Sequence, residues 1–231
     1  MVPKIENKDR LIVALDFPDF NLAKNMVEKI GDQVGFYKIG LEMMASGDYF
    51  KMIEYLKNNN KKIFADLKLH DIPATVAKAV KNLSQYDIDL LTIHGTSKGI
   101  MTSAAENKGN MNLLAVTVLT CHDENDLSDM GFDRNLSLQN QVFKRAKLAI
   151  NCGIDGVVAS ALEAKYLRNN IDKDFLIVTP GIRIVDAKDD QKRTATPKDA
   201  IEAGSNYLVV GRPITNSPDP SKAAEEIVNS L

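Results

Sequence analysis

Apolar residues in this chain fall into two spacings that alternate from one end to the other. Short continuous runs rich in Leu, Ile and Val are followed by longer stretches in which apolar positions recur every three or four residues. A continuous run is what a strand covered on both faces presents, and the wider spacing is the stripe of an amphipathic helix. Leu11–Leu15 is the first run and ends at Asp16. Asp19 then stands where a helix cap belongs, with Leu22, Met26, Val27 and Ile30 on the expected buried stripe before Gly31 stops it.

The unit then repeats. Val34–Ile39 predicts a second strand with Lys38 inside it, and Leu41–Leu56 a helix that ends in the polar run Lys57–Lys62. Ile63–Asp66 predicts the third strand, with a helix over about Ile72–Leu83; Leu90–Gly95 the fourth, with a helix over about Lys98–Glu106; and Leu113–Leu119 the fifth. After the polar stretch Asp123–Asn135 come a helix over Leu136–Asn151, a strand over Gly156–Ala159 and a helix over Ala161–Arg168. Phe175–Val178 and Tyr207–Val210 complete the strands, and a helix over about Ser221–Leu231 closes the pattern. Such alternation across 231 residues predicts an α/β fold, a single-domain (β/α)8 TIM barrel over 1–231, ahead of a doubly wound open sheet.

Composition narrows the function classes. A 44% hydrophobic content suffices for one large core, and a net charge of −2 leaves no broad basic surface of the kind nucleic acid requires. No apolar run approaches a membrane span, and Met1–Arg10 is polar, so a soluble, unexported protein without membrane contact is expected. Cys121 and Cys152 follow neither a CxxC nor a zinc spacing and read as free thiols in a reducing cytoplasm. The methionines read as core filler, His70 as a helix-start residue and His94 as a core or rim histidine, neither histidine with a catalytic assignment.

Charged residues collect at the carboxyl ends of the strands, where barrels and open α/β sheets bind ligands. Asp16 ends the first strand, Lys38 lies late in the second, and Asp66 and Lys68 end the third. On an extended backbone, residues two apart point the same way, so Asp66 and Lys68 are expected side by side. A lysine within Phe36-Tyr37-Lys38-Ile39 needs anionic partners, and Asp16 and Asp66 on adjacent strands supply them. Asp71 has two readings at this point, a helix N-cap or a site carboxylate. Thr179-Pro180-Gly181-Ile182-Arg183 and Gly211-Arg212-Pro213-Ile214-Thr215 follow the last two strands, the loops that often bind phosphate in barrels. Between them Ile184–Thr196, containing Gln191, reads as a long polar loop over that anion site, of the kind that often forms a lid.

With these residues in hand, the chain resembles the orotidine 5′-phosphate decarboxylase family from the first strand to the last. The likeness is carried by Asp66-Leu67-Lys68-Leu69-His70-Asp71-Ile72-Pro73-Ala74-Thr75, Asp16, Lys38 in Tyr37-Lys38-Ile39-Gly40, Thr120, Pro180-Gly181-Ile182-Arg183, Gln191 and Gly211-Arg212-Pro213. Cys121-His122 departs from the Ser-Met pair common after that threonine. The resemblance implies conversion of orotidine 5′-phosphate to uridine 5′-phosphate (UMP) and carbon dioxide, the last step of de novo UMP synthesis, with no metal or cofactor. It implies Lys68 as proton donor to C6, Asp66 against the substrate carboxylate, and Lys38 and Asp16 completing the network and binding ribose. Thr120 would contact the base, and Pro180, Arg183, Gln191, Gly211 and Arg212 the phosphate. It further implies a homodimer in which Asp71, Ile72 and Thr75 enter the neighbouring subunit's site. Two alternatives stand beside it: a magnesium-dependent sugar-phosphate lyase or decarboxylase sharing the shorter Asp-x-Lys-x-x-Asp pattern, and a nonenzymatic phosphate-ligand binding barrel.

Overall fold

The computed structural model describes residues 5–132, 135–183 and 194–231. Eight parallel strands close into a barrel in sequence order: β1 (Leu11–Ala14), β2 (Phe36–Gly40), β3 (Lys62–Leu69), β4 (Leu90–His94), β5 (Asn112–Val116), β6 (Gly156–Val158), β7 (Leu176–Thr179) and β8 (Tyr207–Val210), with β8 pairing back to β1. Ahead of the barrel lies α1 (Asn7–Arg10). Outside it run α2 (Phe20–Ile30), α3 (Leu41–Ser46), α4 (Tyr49–Asn58), α5 (Pro73–Leu83), α6 (Lys98–Ala105), α7 (Glu124–Asp129), α8 (Leu138–Asn151), α9 (Ala161–Asn170), α10 (Pro197–Glu202), α11 (Arg212–Thr215) and α12 (Pro220–Asn229). No helix among the described residues is long and apolar enough to cross a membrane.

Strand alternation explains why the runs are apolar throughout. Ile12, Ala14, Phe36, Phe64, Leu90, Leu114, Val178 and Val209 pack together inside the barrel, while Leu11, Val13, Tyr37 and Ile39 belong to the larger cluster beneath the helices. Both faces are therefore dry, and a charged side chain facing inward must bring its partner with it.

Several element limits differ from expectation for local reasons. The helix predicted over Leu41–Leu56 is two, because Gly47 sits at φ 87° and its N–H closes α3 on the Met44 carbonyl. The polar stretch Asp123–Asn135 contains α7, secured by a reciprocal capping box between Asp123 and Asp126. Leu22 is 47% exposed, and Ala23 takes the inward position on α2. β5 stops at Val116, and β3 continues past Asp66 to Leu69.

At the opposite end of the barrel a single device recurs before three even-numbered strands. Asp89, Asp155 and Asn206 each use a side-chain oxygen to accept the backbone N–H of Ile63, Leu113 and Ile177 at 2.8 Å. Each returns its own N–H to the same residue's carbonyl at 2.8–3.1 Å. The clasp fixes the register of neighbouring strands, and Asn206 shows that a neutral amide can make it. Burial pushes the Asp89 carboxyl above its ordinary range despite the Ile63 hydrogen bond and the charge of Lys57. A carboxyl raised on folding binds its proton more tightly in the native state, so ionisation costs stability as pH rises through the folded value. Asp89→Asn is therefore expected to raise Tm by roughly 1–3 °C at pH 7 and to leave it unchanged near pH 3, read by calorimetry at both pH values.

Candidate active site

At the carboxyl ends of the strands lies a cavity of about 330 Å³ with three distinct walls. Asp16, just past β1, with Lys38 of β2 and Asp66 and Lys68 of β3, forms a charged wall. Pro180, Gly181, Arg183, Gly211 and Arg212 from the loops after β7 and β8 line a second side, and Leu119, Thr120 and Cys121 after β5 a third. Ala14, Phe64, Val116, Val158 and Val209 supply an apolar lining.

The charged wall is a continuous network. The Lys38 ammonium lies 2.7 Å from Asp16 Oδ1 and 3.6 Å from Asp66 Oδ2, and the Lys68 ammonium lies 2.8 Å from that same Asp66 oxygen. Asp66 is thus held between two cations, with its side chain only 13% exposed. Burial by itself would raise the Asp66 carboxyl; the charges of Lys38 and Lys68, with hydrogen bonds from Lys68 and Thr92, outweigh it and hold the group below the usual carboxylate range. Burial would likewise lower Lys38, and Asp66 and Asp16 outweigh it and raise the ammonium above its ordinary value. Asp66 thus loses its charge only as pH falls through its depressed value and Lys38 only as pH rises through its raised one, so both stay charged at neutral pH.

Asp66 and Lys68 meet as expected, but not through an extended backbone. Lys68 has φ 49°, in the left-handed region, and the pairing of β3 with β4 slips between Ala65–Leu91 and Leu69–Ile93. Four steps along β3 match two along β4, a bulge that re-aims the side chains of the longer strand. Opposite the bulge lies Thr92, fully buried, whose hydroxyl donates to Asp66 Oδ1 and accepts the Lys68 backbone N–H, both at 2.9 Å. Sequence reasoning passed over Thr92; its signal was a hydroxyl within the apolar run Leu90-Leu91-Thr92-Ile93.

Across the cavity, Gly181 has φ 76°, which only glycine adopts without strain, so the turn after β7 depends on it. The next residues lead into a short ladder: Arg183 N–H donates to the Ala195 carbonyl at 3.0 Å, and Ala195 N–H to the Gly181 carbonyl at 3.3 Å. Arg183 is buried, with Nη1 donating to the Ile182 carbonyl at 2.8 Å. Arg212 opens α11, directly after Gly211. Residues 184–193, including Gln191, lie outside the described residues. The loop carrying Thr120 is braced from outside the barrel by Arg145, which donates to the Thr117 carbonyl and stacks over Phe132 with its guanidinium carbon 4.8 Å from the ring centre. This brace was also missed, because nothing local marks an arginine on α8 as reaching it.

Asp71, Ile72 and Thr75 do not reach this cavity. The N-cap of α5 is Ile72 rather than Asp71; the Asp71 carboxylate accepts the Ile72 N–H at 2.6 Å, and α5 starts with Pro73. Residues 71 to 75 are all exposed, Ile72 by 65%. His70 pairs through Nε2 with Thr96 Oγ1 at 3.0 Å, and its ring lies 5.1 Å from that of His94. Burial, then the charges of His70 and Lys68, push His94 below its ordinary value, so it is neutral at pH 7.

Comparison with known proteins converges on one family. The family model described as Orotidine 5′-phosphate decarboxylase / HUMPS family matches residues 9–227. An orotidine 5′-phosphate decarboxylase from Methylococcus capsulatus is 50% identical over 219 residues, covering 94% of this chain and 89% of the relative. One from Rhodopseudomonas palustris is 46% identical over 230 residues, covering 98% and 95%. Among solved structures, an orotidine 5′-phosphate decarboxylase from Lactobacillus acidophilus superposes with a TM-score of 0.84 at 39% identity, covering 96% of this chain and 98% of the other.

Proposed function

The chain belongs to the orotidine 5′-phosphate decarboxylase / HUMPS family and is a carboxy-lyase, and on that premise we propose that it converts orotidine 5′-phosphate to UMP and carbon dioxide by metal-free electrostatic catalysis. The observation that carries this reading is the Lys68 ammonium 2.8 Å from a mostly buried, doubly paired Asp66 in the cavity that Arg212 also lines. Substrate phosphate would lie against Gly211, Arg212, Pro180 and Arg183, with Gln191 joining them. The base would lie against Thr120, and the ribose hydroxyls against Asp16 and Lys38.

That placement directs the pyrimidine C6 to the charged wall. As the bond from C6 to the carboxylate breaks, its electron pair stays on C6 and carbon dioxide leaves. The fixed Lys68 ammonium stabilises that charge as it develops and then delivers its proton to C6; solvent returns a proton to the amine. Asp66 serves twice, holding the Lys68 ammonium at 2.8 Å and disfavouring the ground state, because the substrate carboxylate must approach a carboxylate that stays ionised. Binding energy from the remote phosphate offsets that repulsion.

The two ammonium groups, 2.7–3.6 Å from the carboxylates, disfavour the magnesium-dependent alternative, since Lys38 and Lys68 occupy the positions where a divalent cation would seek those oxygens. The exposed run 71 to 75 supports a homodimer with shared sites, in which the partner covers Ile72 and receives Asp71 and Thr75. Two free cysteines, Cys121 and Cys152, suit a reducing cytoplasm. The deciding experiment follows loss of orotidine 5′-phosphate, with carbon dioxide release, in buffer containing excess EDTA. Full turnover in chelator is expected. Activity that needs added magnesium would favour the sugar-phosphate reading, and tight UMP binding without carbon dioxide release would favour a binding barrel.

A further inference from the structure

The bulge in β3 poses a physical problem that the two site charges do not solve. Lys68 adopts a left-handed φ of 49°, a conformation that a side-chain-bearing residue keeps only when its surroundings impose it. Its backbone N–H also turns away from the regular ladder, since pairing with β4 lapses between Ala65 and Leu69. A buried N–H left without an acceptor would favour relaxation of the bulge. The Thr92 hydroxyl takes that N–H at 2.9 Å.

The same oxygen then spends its one proton on Asp66 Oδ1, also at 2.9 Å. A hydroxyl that accepts from one residue and donates to another holds the two in fixed relation. Here the two are the residues whose side chains meet at 2.8 Å through the other carboxylate oxygen. The result is a closed loop: Lys68 N–H to Thr92 Oγ1, Thr92 O–H to Asp66 Oδ1, and Lys68 Nζ–H to Asp66 Oδ2. Valine fills the same volume as threonine but can do neither task, so the burial of Thr92 does not by itself call for a hydroxyl.

We propose that Thr92 is a positioning residue for the decarboxylation, fixing both the bulged backbone of Lys68 and the rotamer of Asp66 so that the ammonium is aimed before substrate arrives. It touches no reacting atom and acts through Asp66 and Lys68. The inference rests on the functional reading above, while its geometric part stands independently of substrate.

Thr92→Val and Thr92→Ser test it. Thr92→Val is expected to lower kcat about ten- to a hundredfold, the range in which small misplacements near the chemistry act. KM should move less than about threefold, because phosphate binding sits across the cavity. Thr92→Ser keeps both hydrogen bonds and should recover kcat to within about fivefold of native. Loss of one hydrogen bond to the Asp66 carboxylate should also shift the acid limb of the kcat profile to higher pH in Thr92→Val and not in Thr92→Ser.

Crystal structures of the two variants supply a readout that needs no turnover. Relaxed φ at Lys68 or a widened Lys68–Asp66 separation in Thr92→Val, with both retained in Thr92→Ser, is expected. A Thr92→Val protein that keeps Lys68 near φ 49° and the 2.8 Å contact would overturn the proposal whatever the substrate proves to be. Native protein inactive on orotidine 5′-phosphate would instead overturn the functional reading. Native activity retained by Thr92→Val would overturn only the role of Thr92.

Discussion

Lys68→Ala is expected to lower kcat for orotidine 5′-phosphate by about four orders of magnitude or more, while leaving affinity for UMP within about tenfold of native. The size follows from two losses in one substitution. A positioned proton donor contributes about 10²–10⁴, and a preorganised charge aimed at the developing carbanion about 10²–10³. Affinity survives because the residues proposed to hold the phosphate, Gly211, Arg212, Pro180 and Arg183, come from the loops after β7 and β8 and are untouched. The fold should survive as well: Asp66 keeps Lys38 at 3.6 Å and the Thr92 hydroxyl at 2.9 Å, so its carboxylate is not stranded. Steady-state decarboxylation and calorimetric titration with UMP check both halves. A variant within tenfold of the native kcat would remove Lys68 from the chemistry.

The parts of this site that were legible in the sequence are those carried by side-chain type and strand position. Lys38 and Asp66 sit late in β2 and β3 and Asp16 just past the end of β1, and a lysine inside an apolar run announces its need for carboxylates; the barrel then brings them to 2.7–3.6 Å. The eight strands were legible because parallel strands buried on both faces leave uninterrupted apolar runs. What stayed hidden depends on backbone geometry or on contacts distant in sequence. Alternation along a regular strand puts Lys68 beside Asp66, the right neighbour by the wrong route, because alternation cannot show a bulge that sets φ at 49°. Thr92, 26 residues from Asp66, and Arg145, 28 from Thr117, act across the barrel and its helical layer, where no local pattern points. Gly47 does not break the helical pattern in sequence, since one glycine is tolerable in a helix; its φ of 87° shows that here it ends one.

Mixing Lys68→Ala with Asp71→Ala subunits is expected to restore activity that neither variant shows alone, and this separates a shared site from one built within a chain. Asp71 does not line its own chain's cavity, and it begins an exposed run that includes Ile72 at 65% exposure. If Asp71 serves the neighbouring subunit, Asp71→Ala alone should lower kcat by about 10²–10³, the loss expected for one preorganised charge beside Lys68. In the mixed dimer, the Asp71→Ala chain contributes an intact Lys68 wall, and its Lys68→Ala partner contributes an intact Asp71, so one complete site forms. The second site lacks both residues. Random exchange gives half of the dimers this composition, with one of two sites intact, so recovery should approach about a quarter of native activity under twofold symmetry. If Asp71 acted within its own chain, every site in the mixture would lack one residue or the other and no activity would return. Refolding the two variants together from denaturant and assaying against equal concentrations of each alone distinguishes the cases. The recovered sites should also show the native KM, because a site assembled from intact halves has no reason to bind differently.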